Sequence, residues 1–338
     1  MRRLISYTLV VLICLSAPLK AKDQESGGLL VDFLQDTLSD DSRYIKVTGL
    51  DGALSAKATI QQITISDDAG VWLTINNAVL DWNRLALVRG RFSVNALSAA
   101  EIIIDRAPTP VESDEPLPAP EAGPFKVPEL PVAIELGKIS VKRFVLGKPV
   151  MGIAAELELT GALTLADGAL DTKLDITRLD RVGDAVDLVA KFENETSHIT
   201  LDLAVVEAAG GLISTALHIP DQPPLRLGAK GDGPVSDFTA QIALATDGID
   251  RVTGQVRMQK APAPKTDVDT ASGIAFSADL SGDVTPLLAP DYHDFFGTDT
   301  KLDLKGQRDA DGRLQIDTFD VASNALTLSG ALEIAASG

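Results

Sequence analysis

Apolar and polar residues alternate along most of the chain from Tyr44 onward. Pairs of aliphatic residues two positions apart recur throughout, for example Ile63 with Ile65, Ile102 with Ile104, and Leu201 with Leu203. Successive side chains of a strand point to opposite faces of a sheet, so a period of two predicts strands. Turn residues such as Asp51-Gly52, Asn76-Asn77 and Gly231-Asp232-Gly233 separate these segments. The pattern predicts roughly twenty short strands.

Two helical segments are predicted before the strands begin. Residues 1–21 combine the positive end Arg2-Arg3 with an apolar stretch from Leu4 to Leu19, which is typical of a signal-anchor or a signal peptide. The stretch is close to the length of a spanning helix, so both the cleaved and the uncleaved interpretation stay open. Residues 28–39 place apolar side chains on one helical face and predict a short amphipathic helix.

The strand pattern is interrupted once, by a proline-rich segment. We predict a first β segment over residues 44–105, an exposed proline-rich loop over 106–131, and a continuing β region over 132–338. Proline has no N–H to donate to a sheet, and the acidic residues between the prolines bury little apolar surface. The loop therefore divides the strands into two groups.

A sheet with so little helix beside it must cover its own apolar side. A sandwich, a closed barrel, a β-helix and a curled trough would each do so. About twenty strands at roughly 4.8 Å each would form a ribbon of about 100 Å, which is too long to stay flat. We therefore predict a mostly β fold, in which a long curled antiparallel-type sheet forms a U-shaped apolar trough.

The inward aliphatic residues of this trough are the candidate functional residues. They could line an apolar groove, or they could form an ordinary packed core. The candidates are Ile60, Ile63, Ile65, Leu73, Ile75, Ile102, Ile104, Leu157, Leu159, Leu201 and Leu203.

Charge and composition exclude several functions. The formal net charge of -18 would repel a phosphate backbone, so no nucleic-acid partner is predicted. The single cysteine, Cys14, lies in the apolar stretch at the start of the chain, which leaves the strands without disulfides. The three histidines, His198, His218 and His293, have no second ligand at metal-binding spacing. We predict neither an enzyme nor a bound cofactor or metal.

Several segments resemble the amino-terminal region of the TamB family, within the AsmA-like superfamily. They are VTGLDGAL at 47–54, IQQITISD at 60–67, GVWL at 70–73, AVLDW at 78–82 and LSAAEIIIDRAP at 97–108, with weaker similarity at 130–134 and 225–234. The resemblance implies a helix anchored in the inner membrane, with the bulk of the chain in the periplasm. It also implies an apolar groove that conducts phospholipid acyl chains toward the outer membrane.

Members of that family are far longer, and they meet the outer-membrane barrel TamA through a carboxy-terminal region absent from this sequence. We therefore expect the chain to be an amino-terminal fragment whose TamA-like partner binds elsewhere. The family implies a second function, in which the protein assists insertion or secretion of autotransporters and other outer-membrane β-proteins. Such an assembly factor would pair a free strand edge with its client.

Overall fold

Sixteen strands of the described residues follow one another in chain order within one sheet. The computed structural model describes residues 44–52, 55–87, 89–109, 127, 133–261, 273–309 and 312–335. The strands in these residues are Tyr44–Asp51 (β1), Lys57–Asp67 (β2), Gly70–Asn83 (β3), Arg91–Ile104 (β4), Ala133–Leu146 (β5), Ala155–Ala166 (β6), Ala169–Arg178 (β7), Ala185–Glu193 (β8), His198–Glu207 (β9), Leu225–Pro234 (β10), Asp237–Thr246 (β11), Ile249–Lys260 (β12), Ile274–Gly282 (β13), Thr300–Arg308 (β14), Leu314–Ala322 (β15) and Thr327–Ile334 (β16). The predicted mostly β class is confirmed.

Helices occur only as short turns in the connections of the described residues. They are Arg84–Leu87 (α1), Lys148–Met151 (α2), Leu212–Ala216 (α3) and His293–Phe296 (α4), with 3₁₀ turns at Thr285–Leu287 and Pro290–Tyr292. Within the described part of the chain, none of the helices has the length and apolar character needed to cross a bilayer. The predicted helices over 1–21 and 28–39 lie outside the described residues.

Neighbouring strands are antiparallel at every pairing except one. β4 and β5 run parallel, with Arg91 opposite Ala133 and Ile104 opposite Leu146. The predicted antiparallel-type sheet is therefore mixed, with one parallel pairing. The physical reason is the connection over 105–132, because a parallel neighbour requires a crossover of a dozen or more residues. The proline-rich segment supplies that length.

Two predicted turns lie inside strands instead. Asn76-Asn77 belongs to β3, and Gly231-Asp232-Gly233 belongs to β10. Asn77 has a φ of 51°, which distorts β3 without ending it. These polar residues interrupt the alternation without reversing the chain. The described residues contain sixteen strands, against roughly twenty predicted for the whole sequence.

Both described ends of the crossover are held by side chains. After β4, the Arg106 guanidinium pairs with the carboxylate of Asp67, and the Thr109 N–H donates to Asp67 Oδ2 at 2.8 Å. Before β5, the Val127 N–H donates to Asn194 Oδ1 at 2.8 Å, and Asn194 Nδ2 donates to the Val127 carbonyl at 2.7 Å. Val127 is only 3% exposed. Of the predicted loop, only 106–109 and 127 lie among the described residues.

We expect acid to weaken the Asp67 anchor. Hydrogen bonds from Arg106 and then from the Thr109 N–H lower the pKa of Asp67 below its ordinary value of 3.8. A carboxyl with a lowered folded pKa stabilises the fold above its unfolded pKa, and the effect is lost as the pH falls through the folded pKa. Asp67→Asn should therefore lower the melting temperature at pH 7, with a smaller difference from wild type below about pH 3.

Thermal unfolding followed by circular dichroism at several pH values measures this difference. The matched control is Asp68→Asn, because Asp68 is exposed and adjacent to Asp67. An equal decrease in melting temperature for Asp67→Asn at pH 7 and at low pH would contradict the role of the ion pair.

Candidate functional site, a continuous apolar face

One face of the sheet is apolar from β2 to β16. Residues directly opposite each other on neighbouring strands point to the same face, so the register defines which side chains share it. One row of such partners crosses fifteen strands without a polar side chain. In strand order it contains Ala58, Leu80, Leu97, Ile139, Gly161, Leu174, Leu188, Leu203, Ala229, Ile242, Gly254, Leu280, Leu302, Val321 and Leu328. We call this side of the sheet the apolar face.

All eleven candidate residues lie on the apolar face. Ile65, Leu73 and Ile104 form one row of partners. A second row contains Ile63, Ile75, Ile102, Phe144 and Leu157, and a third contains Ile60, Ala78, Ala99, Val141 and Leu159. Leu203 belongs to the long row, and Leu201 is two positions before it on β9. Each of the eleven is partly buried.

Ile60 and Ile63 share this face despite their odd spacing. Strict alternation would place residues three apart on opposite faces. The register passes directly from Ile60 opposite Ala78 to Gln62 opposite Asn76, leaving Gln61 and Asn77 between the pairs. The positive φ of Asn77 accompanies this irregularity and returns both isoleucines to one side.

A cavity of about 410 Å³ opens on the apolar face between β1 and β5, and four of the candidates, Ile60, Ile63, Ile75 and Ile102, line it. Leu50 of β1 and Val141 of β5 line the same cavity although three strands separate them. The other seven candidates lie on the same face outside this cavity.

The candidate residues omitted the contribution of β5. Val141, Phe144 and Leu146 continue the apolar face next to β4, although none of the three was among the candidates. The register with β6 skips two residues between Val141 and Phe144, so the period of two is broken there. The aromatic Phe144 in that apolar run was the available signal.

Polar side chains form a ladder on the opposite face. Gln62 Nε2 donates to Asn76 Oδ1 at 3.0 Å, and Asn76 Nδ2 donates to Glu101 Oε2 at 2.7 Å. The Arg143 guanidinium then bridges Glu101 and Glu156, with Nη2 at 2.6 Å from Glu156 Oε1. The carboxylates raise the pKa of Arg143, and Arg143 lowers the pKa of Glu156. This ladder ties β2 to β6 across the parallel junction.

Charged residues close the apolar face at one end of β7 and β9. Arg178, directly opposite Leu157, donates from Nε to Asp180 at 2.8 Å and from Nη1 to Asp184 at 3.1 Å. The buried Glu207 carboxylate accepts the N–H groups of Ile213 and Ser214. These bonds stabilise the α3 connection at the end of the face.

The Asp180 hydrogen bond is the main cause that raises the pKa of Arg178. A second cavity of about 790 Å³ lies between α2 and α3, lined by residues that include Met151, Thr215 and Ile219. Arg178, Asp180, Asp184 and Glu207 thus form a polar end to the otherwise apolar face.

The three histidines do not converge. His198 Nε2 lies 3.2 Å from Asp232 Oδ2, while His293 Nε2 lies 3.0 Å from the Leu288 carbonyl oxygen. His218 lies beyond α3 with a φ of 55°. In the ranges that the structure describes, no three His, Cys, Asp or Glu side chains are placed to hold a metal ion.

Comparisons of the chain with protein-family models, curated proteins and solved structures return no match. The functional argument therefore rests on the apolar face itself.

Gly306 packs closely against an aromatic ring and Gly330 does not, so the same alanine substitution should affect stability differently at the two positions. A Cβ at Gly306 would lie 2.5 Å from the Gln315 carbonyl oxygen and 2.7 Å from Phe276 Cζ, whereas a Cβ at Gly330 meets nothing within 4 Å. We expect Gly306→Ala to reduce the free energy of unfolding by about 1–3 kcal/mol. Gly330→Ala should cause no loss beyond about 0.5 kcal/mol. Denaturant unfolding of the two variants tests this, and equal values would show that Phe276 does not pack on Gly306.

Proposed function

We propose that the protein conducts phospholipid acyl chains along the apolar face. In this proposal it is a TamB-like protein of the AsmA-like superfamily, anchored in the inner membrane by residues 1–21 with its sheet in the periplasm. It belongs to a translocation and assembly module, and it carries lipid toward the outer membrane. The observation that supports this most directly is the row of partners from Ala58 to Leu328, which contains no polar side chain.

The energetics of lipid transfer favour such a surface. Exposing an acyl chain to water costs about 0.8 kcal/mol per CH₂ group, so a lipid does not readily leave a bilayer unaided. A row that stays apolar over fifteen strands at roughly 4.8 Å each extends for about 70 Å. An acyl chain could move along this row without meeting a charged side chain.

The proposal includes a sheet that is curled into a trough. In a curled sheet, the strands cross the trough and the rows of partners run along it. The cavity lined by both Leu50 and Val141 supports curvature between β1 and β5. The polar ladder from Gln62 to Glu156 would then face water on the convex side. A TamA-like barrel would receive the lipid beyond these residues.

Adjacent isoleucines on β4 provide a matched test. Ile104 lies on the apolar face and Ile103 on the other, so the same substitution at both differs only in the face it reaches. With a photoreactive residue at Leu73, Ile104, Leu159 and Leu203 in cells, we expect phospholipid adducts at these positions. Adducts at Thr74, Ile103, Thr160 and Asp202 should be about tenfold fewer. Mass spectrometry of the adducts measures both sets.

Equal lipid labelling of Ile103 and Ile104 would contradict conduction along the apolar face. The absence of lipid adducts, with outer-membrane polypeptides found in their place, would also contradict it.

A further inference from the structure

The two rims of the sheet differ in their exposed apolar side chains. Because the strands alternate in direction, with the parallel crossover between β4 and β5, one rim carries the connections 68–69, 105–109, 147–154, 179–184, 208–224, 247–248, 283–299 and 323–326. Large apolar residues are exposed along it, with Val182 at 94%, Leu217 at 62% and Tyr292 at 55%. In the described connections of the opposite rim, Leu85 is the one large apolar side chain found to be exposed.

These side chains recur at regular intervals along the first rim. Val182 lies between β7 and β8, Leu217 between β9 and β10, Ile249 at the start of β12, and Tyr292 between β13 and β14. Consecutive members are therefore two strands apart, which corresponds to about 10 Å along the sheet. Such spacing is close to the length of one heptad of an α-helix, about 10.5 Å.

Charge is also concentrated on this rim, which we call the acidic rim. Its described connections contain ten aspartates and three basic residues, Arg106, Lys148 and Arg181. The aspartates are Asp68, Asp105, Asp180, Asp184, Asp221, Asp247, Asp283, Asp291, Asp294 and Asp299. Arg178, Arg251 and Lys301, at strand ends, pair with Asp180, Asp184, Asp283 and Asp299, which still leaves an acidic excess.

The described connections of the opposite rim are electrically balanced. They contain three acidic residues, Asp167, Glu195 and Asp309, and three basic residues, Arg84, Arg89 and Arg313. Among the described connections, the acidic excess therefore lies on the rim that carries Val182.

Charge and spacing together select the occupant of the acidic rim. A second copy of the chain would bring two acidic rims together, and an anionic bilayer would be repelled in the same way. A surface with both exposed apolar side chains and complementary positive charge would be attracted. A helix with apolar residues at every heptad would match the interval between Val182, Leu217 and Ile249.

We propose that the acidic rim is a docking surface for a basic amphipathic helix of a partner protein. The helix lies along the rim from the β7–β8 connection to the β13–β14 connection, with its apolar stripe on Val182, Leu217, Ile249 and Tyr292. Its lysines and arginines face the surrounding aspartates. This docking does not depend on whether the apolar face carries lipid.

A synthetic peptide provides a direct test on the full chain. The probe is a Lys/Leu peptide of about 21 residues with leucine at the a and d positions of each heptad, and the control is the same peptide with glutamate in place of lysine. We expect photoreactive residues at Val182 and Leu217 to give at least about tenfold more Lys/Leu adduct than one at Leu85. The glutamate peptide should give none.

Affinity measurements separate apolar docking from general attraction to an acidic protein. Val182→Ser combined with Leu217→Ser keeps every charge, and it should weaken Lys/Leu binding about tenfold through the lost apolar contacts. The matched control Leu85→Ser should leave affinity unchanged. Because Val182 and Leu217 are exposed, the melting temperature of the double variant should equal that of wild type, which excludes unfolding as the cause.

Crosslinking from Val182 and Tyr292 in cells then identifies the occupant. Adducts whose mapped contact segment is a lysine- or arginine-rich amphipathic helix support the proposal. Phospholipid adducts, a second copy of this rim, equal labelling at Leu85, or unchanged affinity of the double variant would each overturn it.

Discussion

A one-residue slip between any two neighbouring strands would turn the apolar row over to the other face from that point onward. Every pairing from β2 to β16 therefore has to preserve the same register for the row from Ala58 to Leu328 to remain apolar. The parallel junction between β4 and β5 does so as well, with Leu97 opposite Ile139. Bulges absorb irregular residues locally, so that the faces are not exchanged.

The stability of this sheet depends on lateral contacts, because the helices of the described residues are too short to form a second layer. Cross-strand partners such as Leu188 and Leu203 pack side by side, and glycines accommodate neighbouring rings, as Gly306 does for Phe276. The ladder through Arg143 adds polar contacts on the other face. Such a sheet can be held together while its apolar face stays accessible, which a two-layer core would not allow.

The apolar face and the acidic rim have different chemistries and so suit different occupants. The face presents a continuous aliphatic surface with charge only at its ends, as at Arg178. The rim presents isolated apolar side chains, such as Val182, among aspartates. A lipid chain gains most from continuous apolar contact, whereas a basic amphipathic helix needs both apolar contacts and charge. The two proposed interactions could therefore occur at the same time.

Alternation in the sequence determined the β class and grouped candidates two residues apart, such as Ile63 with Ile65 and Leu201 with Leu203, because the side-chain period of a strand is a local property. Pairing between distant residues decided the rest. The parallel direction of β5, the place of Phe144 on the apolar face and the shared side of Ile60 and Ile63 depend on the crossover and on register shifts. The exposure of Val182 and its alignment with Leu217 depend on which connections meet at one rim, and only the tertiary structure brings those connections together.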